Sequence, residues 1–373
     1  MKLEYKTRDF LNPNHTALGT NLGTWWRVLK KHHFAVELPW VPKALFITAT
    51  ALVNAPVQWF ERAWYDRRIQ KATVSRPVFI LGHPRSGTTF LQYLVSQDPS
   101  FTYCSAYEGL VPHVFLTGGD VLRRVMQLAM PATRPQDNVR VSTTLPVEEE
   151  FAMASIGDIS WVHGLYFPMS LFQVFDEEVI FSGNPAIAKQ WKERFEYFLK
   201  KLSYKHRGKQ LILKSPANTG RLKEIYELFP EARFIYIHRN PYEVYQSNVR
   251  LYEKILPALA FHRVDEKMLQ EYIFYFYEKI HKKYLVDRAL IPSSQLIEFS
   301  YADFVADPMT SMRKAYDQLS LGDFEKARVF LEKEIEETRH YQKNTYVTLD
   351  PRIKDRINRQ WKFAFDAFGY KMI

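Results

Sequence analysis

Residues 77–92 read PVFILGHPRSGTTFLQ. An apolar run ends in a glycine-bounded turn, and a new apolar pattern of helical spacing follows at once. A buried strand that turns directly into a helix opens a βαβ unit, so this segment predicts a parallel sheet covered by helices. The stretch fits the phosphate-cradling pattern G-x-x-x-x-G-K-[ST] at every position but one. Gly82 and Gly87 have the required spacing, and Thr88 stands where the lysine belongs. Successive backbone N–H groups from Arg85 to Thr89 at a helix N-terminus still attract an anion by geometry and dipole. Without the lysine, a triphosphate-hydrolysing loop loses its main electrostatic part. What remains suits a phosphate-like group that needs neither that lysine nor magnesium.

The rest of the chain extends the same pattern. FTYCS, KQLILK, RFIYIH and SQLIEFSY read as strands, and helical segments follow the turns between them. SPANTGRLKEIYELF reads as a helix for which Ser215 is available as the cap. The fold class is therefore α/β, a P-loop-like parallel sheet flanked by helices. Residues 1–75 form a helical, aromatic and basic N-terminal arm packed on the core, with prolines 39, 42 and 56 interrupting its pattern. Residues 76–373 form the main domain. Within it, 105–208 is an aromatic, mainly helical insertion and the natural seat of specificity.

Cys104 is the only cysteine, which rules out an internal disulfide framework and fits a reducing compartment. The N-terminus, MKLEYKTRDF, is charged where a signal peptide needs an apolar core, so the expectation is a cytoplasmic protein. The apolar run Ala44–Val53 stops at Asn54 and Pro56, short of the roughly 18–20 residues a spanning helix needs. Residues 1–76 carry twelve of the Lys and Arg residues against five Asp and Glu, together with five of the eight tryptophans. Such an arm either rests peripherally on the inner face of an anionic membrane or packs as a helical layer with solvated charges. No recognition motif for nucleic acid accompanies the charge. No HExxH, CxxC or EF-hand pattern points to a metal.

A second motif narrows the reading. HRNPYEVYQSNV follows a strand and places Arg239 eight residues before Ser247, so that both can converge on one phosphate. Together, PRSGTT and this Arg-x7-Ser pair resemble the PAPS-dependent sulfotransferases, in particular the bacterial branch acting on lipids and sterols. The resemblance runs from Pro77 to about Pro308. It implies PAPS (3′-phosphoadenosine-5′-phosphosulfate) as donor and PAP as product, with no metal. Arg85, Ser86, Gly87, Thr88, Thr89 and Phe90 would hold the 5′-phosphosulfate, and Arg239 and Ser247 the 3′-phosphate. Lys343, in HYQKNTYVTLD, is a weaker phosphate contact from a segment that closes over the nucleotide.

Sulfuryl transfer resembles phosphoryl transfer, an in-line displacement helped mainly by positioning and charge stabilisation. Lys214 ends a strand and resembles the family lysine at the sulfuryl group, and Arg85 resembles an arginine that assists the same charge in the tyrosylprotein branch. The base is less direct. The histidine of the cytosolic K-T-H pattern is missing from Lys214-Ser215-Pro216. Asn218 stands where many bacterial relatives carry a histidine, and an amide is no general base. Glu108, in SAYEGL, stands where the tyrosylprotein branch carries a glutamate and is the first choice. Glu150 of the run Glu148-Glu149-Glu150 and His163 are its rivals.

On the acceptor side, SWVHGLYFPMSLFQVF and the Trp-rich arm offer apolar surface and few fixed charges. That favours a hydrophobic alcohol, a sterol ahead of a prenyl or other lipid, over a sugar. Two other readings stay open. One is a nucleotide kinase or NTPase with a degenerate loop; the other is a non-catalytic protein that binds PAP or lipid.

Overall fold

The computed structural model describes residues 2–12, 15–131, 133, 140–338 and 348–373. The chain divides into two compact units. One contains Ser75–Thr102, Lys209–Arg250 and Ile273–Ile373, and the other Met1–Val74, Tyr103–Gly208 and Leu251–Tyr272.

The first unit is built on a five-stranded sheet. Its strands are β1 (Val78–Leu81), β2 (Phe101–Tyr103), β3 (Gln210–Lys214), β4 (Arg233–His238) and β5 (Leu296–Ser300). Their order is β2-β3-β1-β4-β5. The pairings β1 with β3, β1 with β4, and β4 with β5 are all parallel. A parallel sheet is covered on both faces, so its inner strands read as unbroken apolar runs: VFIL is buried at every position, as is the centre of RFIYIH. At the edge, β5 alternates instead, with Ile297 and Phe299 inward and Glu298 outward. One face packs Val78, Ile80, Ile212, Ile235 and Ile237 against Leu91, Leu94 and Val95 of the helix that follows the glycine turn. On the other face Phe79 meets Phe234, ring centroids 5.8 Å apart, and Phe229 at 6.4 Å.

The second unit is helical. Its elements include α1 (Leu22–Lys31) and α2 (Val41–Gln70) from the arm. From the insertion come α4 (Ala106–Leu110), α5 (Phe115–Ala129), α6 (Glu150–Ile156), α7 (Val162–Tyr166), α8 (Leu171–Glu178) and α9 (Pro185–Lys205). Arm and insertion thus share one unit. Trp25 Nε1 donates to Thr48 Oγ1 at 2.9 Å, and Phe261 N to Tyr166 O at 2.9 Å, inside a cluster of Trp25, Tyr166, Phe167 and Phe261 rings.

Two local expectations are corrected here. Pro56 does not end the arm's helix, which runs thirty residues through it. The missing N–H and the ring fall on the helix's exposed side, where no core contact is lost. The apolar side chains of the segment 160–175 are mostly core of their own unit rather than open surface, with Met169 the exposed exception. A run so rich in large apolar groups satisfies itself first by packing within its unit.

Candidate functional site

The two motifs expected to meet the nucleotide lie wholly in the sheet unit. At the end of β1, Gly82 has φ 149°, and a Cβ there would meet Ile237 O at 2.5 Å and Ser86 Oγ at 2.7 Å. Gly82 N donates to Thr219 Oγ1 at 2.8 Å. The turn closes on itself, since Ser86 donates to His83 O through N at 3.1 Å and through Oγ at 2.7 Å. Arg85 takes φ 73°, a left-handed conformation that residues bearing a Cβ adopt only at a cost. Gly87 has φ 102°, and a Cβ there would stand 2.4 Å from the Tyr301 ring. The helix α3 (Thr88–Val95) then starts with no side-chain cap. Its first backbone bond is donated by Leu91 N to Gly87 O at 3.2 Å, so the N–H groups of Thr88, Thr89 and Phe90 precede the helical ladder. A row of uncapped N–H groups at the positive end of a helix dipole is an anion site.

The second motif meets the first here. Arg239 follows β4, and Ser247 lies in α11 (Pro241–Leu259). Arg85 Nε donates to Ser247 Oγ at 2.9 Å, and Arg239 Nη1 donates to Arg85 O at 3.4 Å. The Arg239 guanidinium lies over the Tyr301 ring, 4.3 Å from its centroid, and bonds Glu243 Oε2 at 2.6 Å. Asn248, next to Ser247, donates to Pro84 O at 3.1 Å and braces the turn against α11. Lys214 is the last residue of β3, opposite Ile80 in register, and is 2% exposed. Its stem runs through the core at the C-terminal end of the sheet.

Ser215 does not cap a helix. Residues 216–221 form a 3-10 turn and the α-helix α10 begins only at Leu222 (Leu222–Leu228). That turn holds Thr219 against Gly82 N, a bond a continuous helix from Ser215 would not present. Ser215 Oγ is buried with no hydrogen-bond partner among the described residues. Thr219, Asn248 and Tyr301 were not marked by the sequence, where nothing sets them apart from ordinary turn and helix residues.

The base candidates belong to the helical unit. Glu108 is fully buried, and its Oε2 accepts from Ser105 N at 2.7 Å and Ser105 Oγ at 2.6 Å in a capping box for α4. Its Oε1 accepts from His206 Nε2 at 2.6 Å and Lys205 Nζ at 2.7 Å. Burial pushes its pKa up, but the bonds and charges of His206 and Lys205 outweigh that and bring it down to about 2. Glu150 Oε1 accepts from Ser160 Oγ at 2.7 Å and Trp161 N at 3.2 Å. His163 is fully buried, bonds Ala154 O at 2.9 Å, and is pushed down to about 4 by burial. Lys343 lies outside the described residues. Among the described residues no group of three or more His, Cys, Asp or Glu is placed to hold a metal ion.

Comparison with known proteins bears on the family and the fold. Omega-hydroxy-beta-dihydromenaquinone-9 sulfotransferase Stf3 of Mycobacterium bovis is 29% identical over 360 residues, covering 95% of this chain and 90% of the relative. The same enzyme of Mycobacterium tuberculosis matches equally. The crystal structure of sulfotransferase STF9 from Mycobacterium avium superposes with a TM-score of 0.66 at 17% identity, over 95% of this chain and 98% of that one. That of STF1 from Mycobacterium tuberculosis superposes with a TM-score of 0.58 at 15% identity, over 87% and 89%. These likenesses carry the fold. Residues 77–325, the stretch with both phosphate motifs, match the sulfotransferase family, and the chain belongs to that family of enzymes.

Proposed function

We propose that this enzyme transfers the sulfuryl group of PAPS to the hydroxyl of a hydrophobic alcohol in the cytoplasm. The observation that carries the reading is the joining of the two motifs through Arg85, which bonds Ser247 by its side chain and Arg239 by its carbonyl. A nucleotide with anionic groups at both its 5′ and 3′ positions fits that layout, because the uncapped start of α3 and the Arg239–Ser247 pair would hold two anions at separate places joined through Arg85. PAPS, when bound, supplies the activated sulfuryl group. The residues then divide the work. Thr88, Thr89 and the N–H groups up to Phe90 hold the 5′ end, with Ser86 and Gly87 shaping the turn. Arg239 and Ser247 hold the 3′-phosphate, with Glu243 giving up its bond to Arg239. Lys214 and Arg85 stabilise the charge that develops at the transferring group. On the acceptor side, sterols and hydroxylated isoprenoids both answer the apolar composition. The menaquinone acceptor named for the Mycobacterium relatives moves the hydroxylated prenyl lipid ahead of the sterol. Contact of the N-terminal arm with a bilayer belongs to the same reading.

Transfer of ³⁵S from labelled PAPS to a panel of prenyl and long-chain alcohols, sterols, phenols and sugars tests the proposal. Labelled prenyl or sterol product is expected; label on sugars alone, or stabilisation by ATP and magnesium but not by PAP, would overturn it.

We assign proton removal from the acceptor hydroxyl to Glu108, with one condition. All four hydrogen-bonding directions of its carboxylate are already used, so it accepts the proton only by releasing a partner, His206 being the more readily exchanged. Glu108→Gln should then lower kcat by about 10²–10⁴-fold, the usual worth of a general base, in protein that still melts cooperatively. Glu150→Gln should keep its rate. A Glu108→Gln protein that melts early yet turns over normally per folded molecule would leave Glu108 a purely structural cap and pass the role to Glu150.

A further inference from the structure

We infer that the outward face of α2 is a docking surface for an anionic bilayer, on which the helix lies in the plane of the lipid headgroups. The helix is inverted relative to an ordinary surface helix. From Lys43 to Glu61 its inward side carries the charges. Lys43 Nζ, buried, donates to the carbonyls of Ala258 at 3.1 Å and Ala260 at 2.6 Å. Glu61, also buried, pairs with Lys201 at 2.5 Å and accepts from Thr117 N at 2.7 Å. Its outward side carries Leu45, Leu52, Val53, Trp59, Phe60 and Trp64, with Val53 76% and Trp59 74% exposed. At about 100° per residue these six positions fall within one arc of roughly 140°, opposite Lys43, Ile47, Ala51, Glu61 and Ile69. No charged residue lies between Lys43 and Glu61.

An apolar strip this long is rare on a protein surface that meets only water. Charge decides what covers it. Beyond Trp59 the helix ends in Arg62, Arg67, Arg68 and then Lys71, all exposed, with Asp66 half-buried. The Arg68 guanidinium lies 5.5 Å from the Trp64 ring centroid. Tryptophan beside arginine at the end of an apolar strip matches the chemistry of anionic headgroups over acyl chains.

By length and composition α2 could also cross a membrane. Its inner face argues against that. Turning the helix upright through lipid would strip Lys43 and Glu61 of their partners and place both in hydrocarbon, where unpaired charge is costly. The docking reading extends the lipid-acceptor proposal without depending on it: a lipid alcohol stays in the bilayer with its tail, and an enzyme lying on that surface meets it there.

The full-length protein should co-sediment with vesicles of phosphatidylcholine and phosphatidylglycerol, more weakly at high salt, and much less with phosphatidylcholine alone. The double variant Leu52→Glu/Val53→Glu should lose that binding by at least about tenfold, because it places two charges where two apolar side chains would enter the lipid. Both positions are exposed, so its melting temperature and its PAP binding should match the parent; those two measurements separate lost docking from lost folding or lost nucleotide recognition. Wild-type protein that ignores anionic vesicles, or a double variant that binds them as well as the parent, would overturn the inference. A dimer by light scattering that the variant dissolves would give the face to a second copy of the chain and would also overturn it.

Discussion

Lys214→Met should lower kcat by about 10²–10³-fold while leaving the affinity for PAP nearly unchanged, whereas Arg239→Glu should abolish the preference for PAP over ADP. In the proposed site the two effects separate because the two cations would serve different ends of the donor. Lys214 is buried at the end of β3 beside the glycine turn, where low polarity magnifies its action on developing charge. Methionine keeps the length and apolar stem, so the core around Ile80 stays filled and the loss is one of charge alone. Arg239 already binds a carboxylate oxygen of Glu243 at 2.6 Å, and a 3′-phosphate is a stronger claimant for the same guanidinium. Glutamate at 239 faces Glu243 with like charge and repels that phosphate. Single-turnover rates and PAP and ADP titrations read both effects. If Lys214→Met turned over normally, or Arg239→Glu still preferred PAP, the corresponding role would be withdrawn.

Acidification should destabilise the protein, with the melting temperature falling progressively between pH 7 and pH 5. Seven of the eleven histidines, five of them buried and His113 and His238 half-buried, have their pKa lowered, with desolvation the largest cause in each. His15 and His32 are pushed down to about 3, His113, His163, His238 and His281 to about 4, and His83 is also well below its usual value. The sign follows from proton counting. Below pH 6.5 the unfolded chain takes up protons at these sites and the folded chain does not, so stability falls with pH until about 4 to 3. Each fully buried histidine contributes up to about 1.4 kcal/mol per pH unit. Several such sites act in the same direction, against a whole stability of only about 5–15 kcal/mol for a typical domain. Glu108 works in the same direction at lower pH: with its pKa depressed to about 2, its stabilisation is complete above about 4.5 and is lost as pH falls toward 2. Melting curves at fixed ionic strength from pH 7.5 to 5 check this. A flat profile would show that the native fold protonates these histidines without cost.

What could be read from the chain by itself was local. The turn from Gly82 to Thr89 announces itself because only glycine meets the backbone demands at Gly82 and Gly87, and the strands around it because burial on both faces requires unbroken apolar runs. That Arg239 and Ser247 lie near one another was legible because strand end and first helical turns are linked by fixed spacing; that they meet the glycine turn through Arg85, and not each other, was not. What surrounds those motifs was not. Thr219 is an ordinary threonine until Gly82 N arrives across 137 residues, and Asn248 is an ordinary asparagine until Pro84 O does. Lys205 and His206 end a helix without distinction until they saturate Glu108 across nearly a hundred residues.

The arm shows the same division most clearly. Its composition, basic and rich in tryptophan, already allowed two readings. Only the tertiary structure decided which side of α2 is inside, and it placed Lys43 and Glu61 there because distant carbonyls and Lys201 were available to satisfy them. Local residue types determined the strands, the glycine turn and the uncapped start of the helix after it, since backbone conformation and helix dipoles act over a few residues. Hydrogen-bond partners, burial and exposed faces arise between segments far apart in the chain, and only folding could decide them.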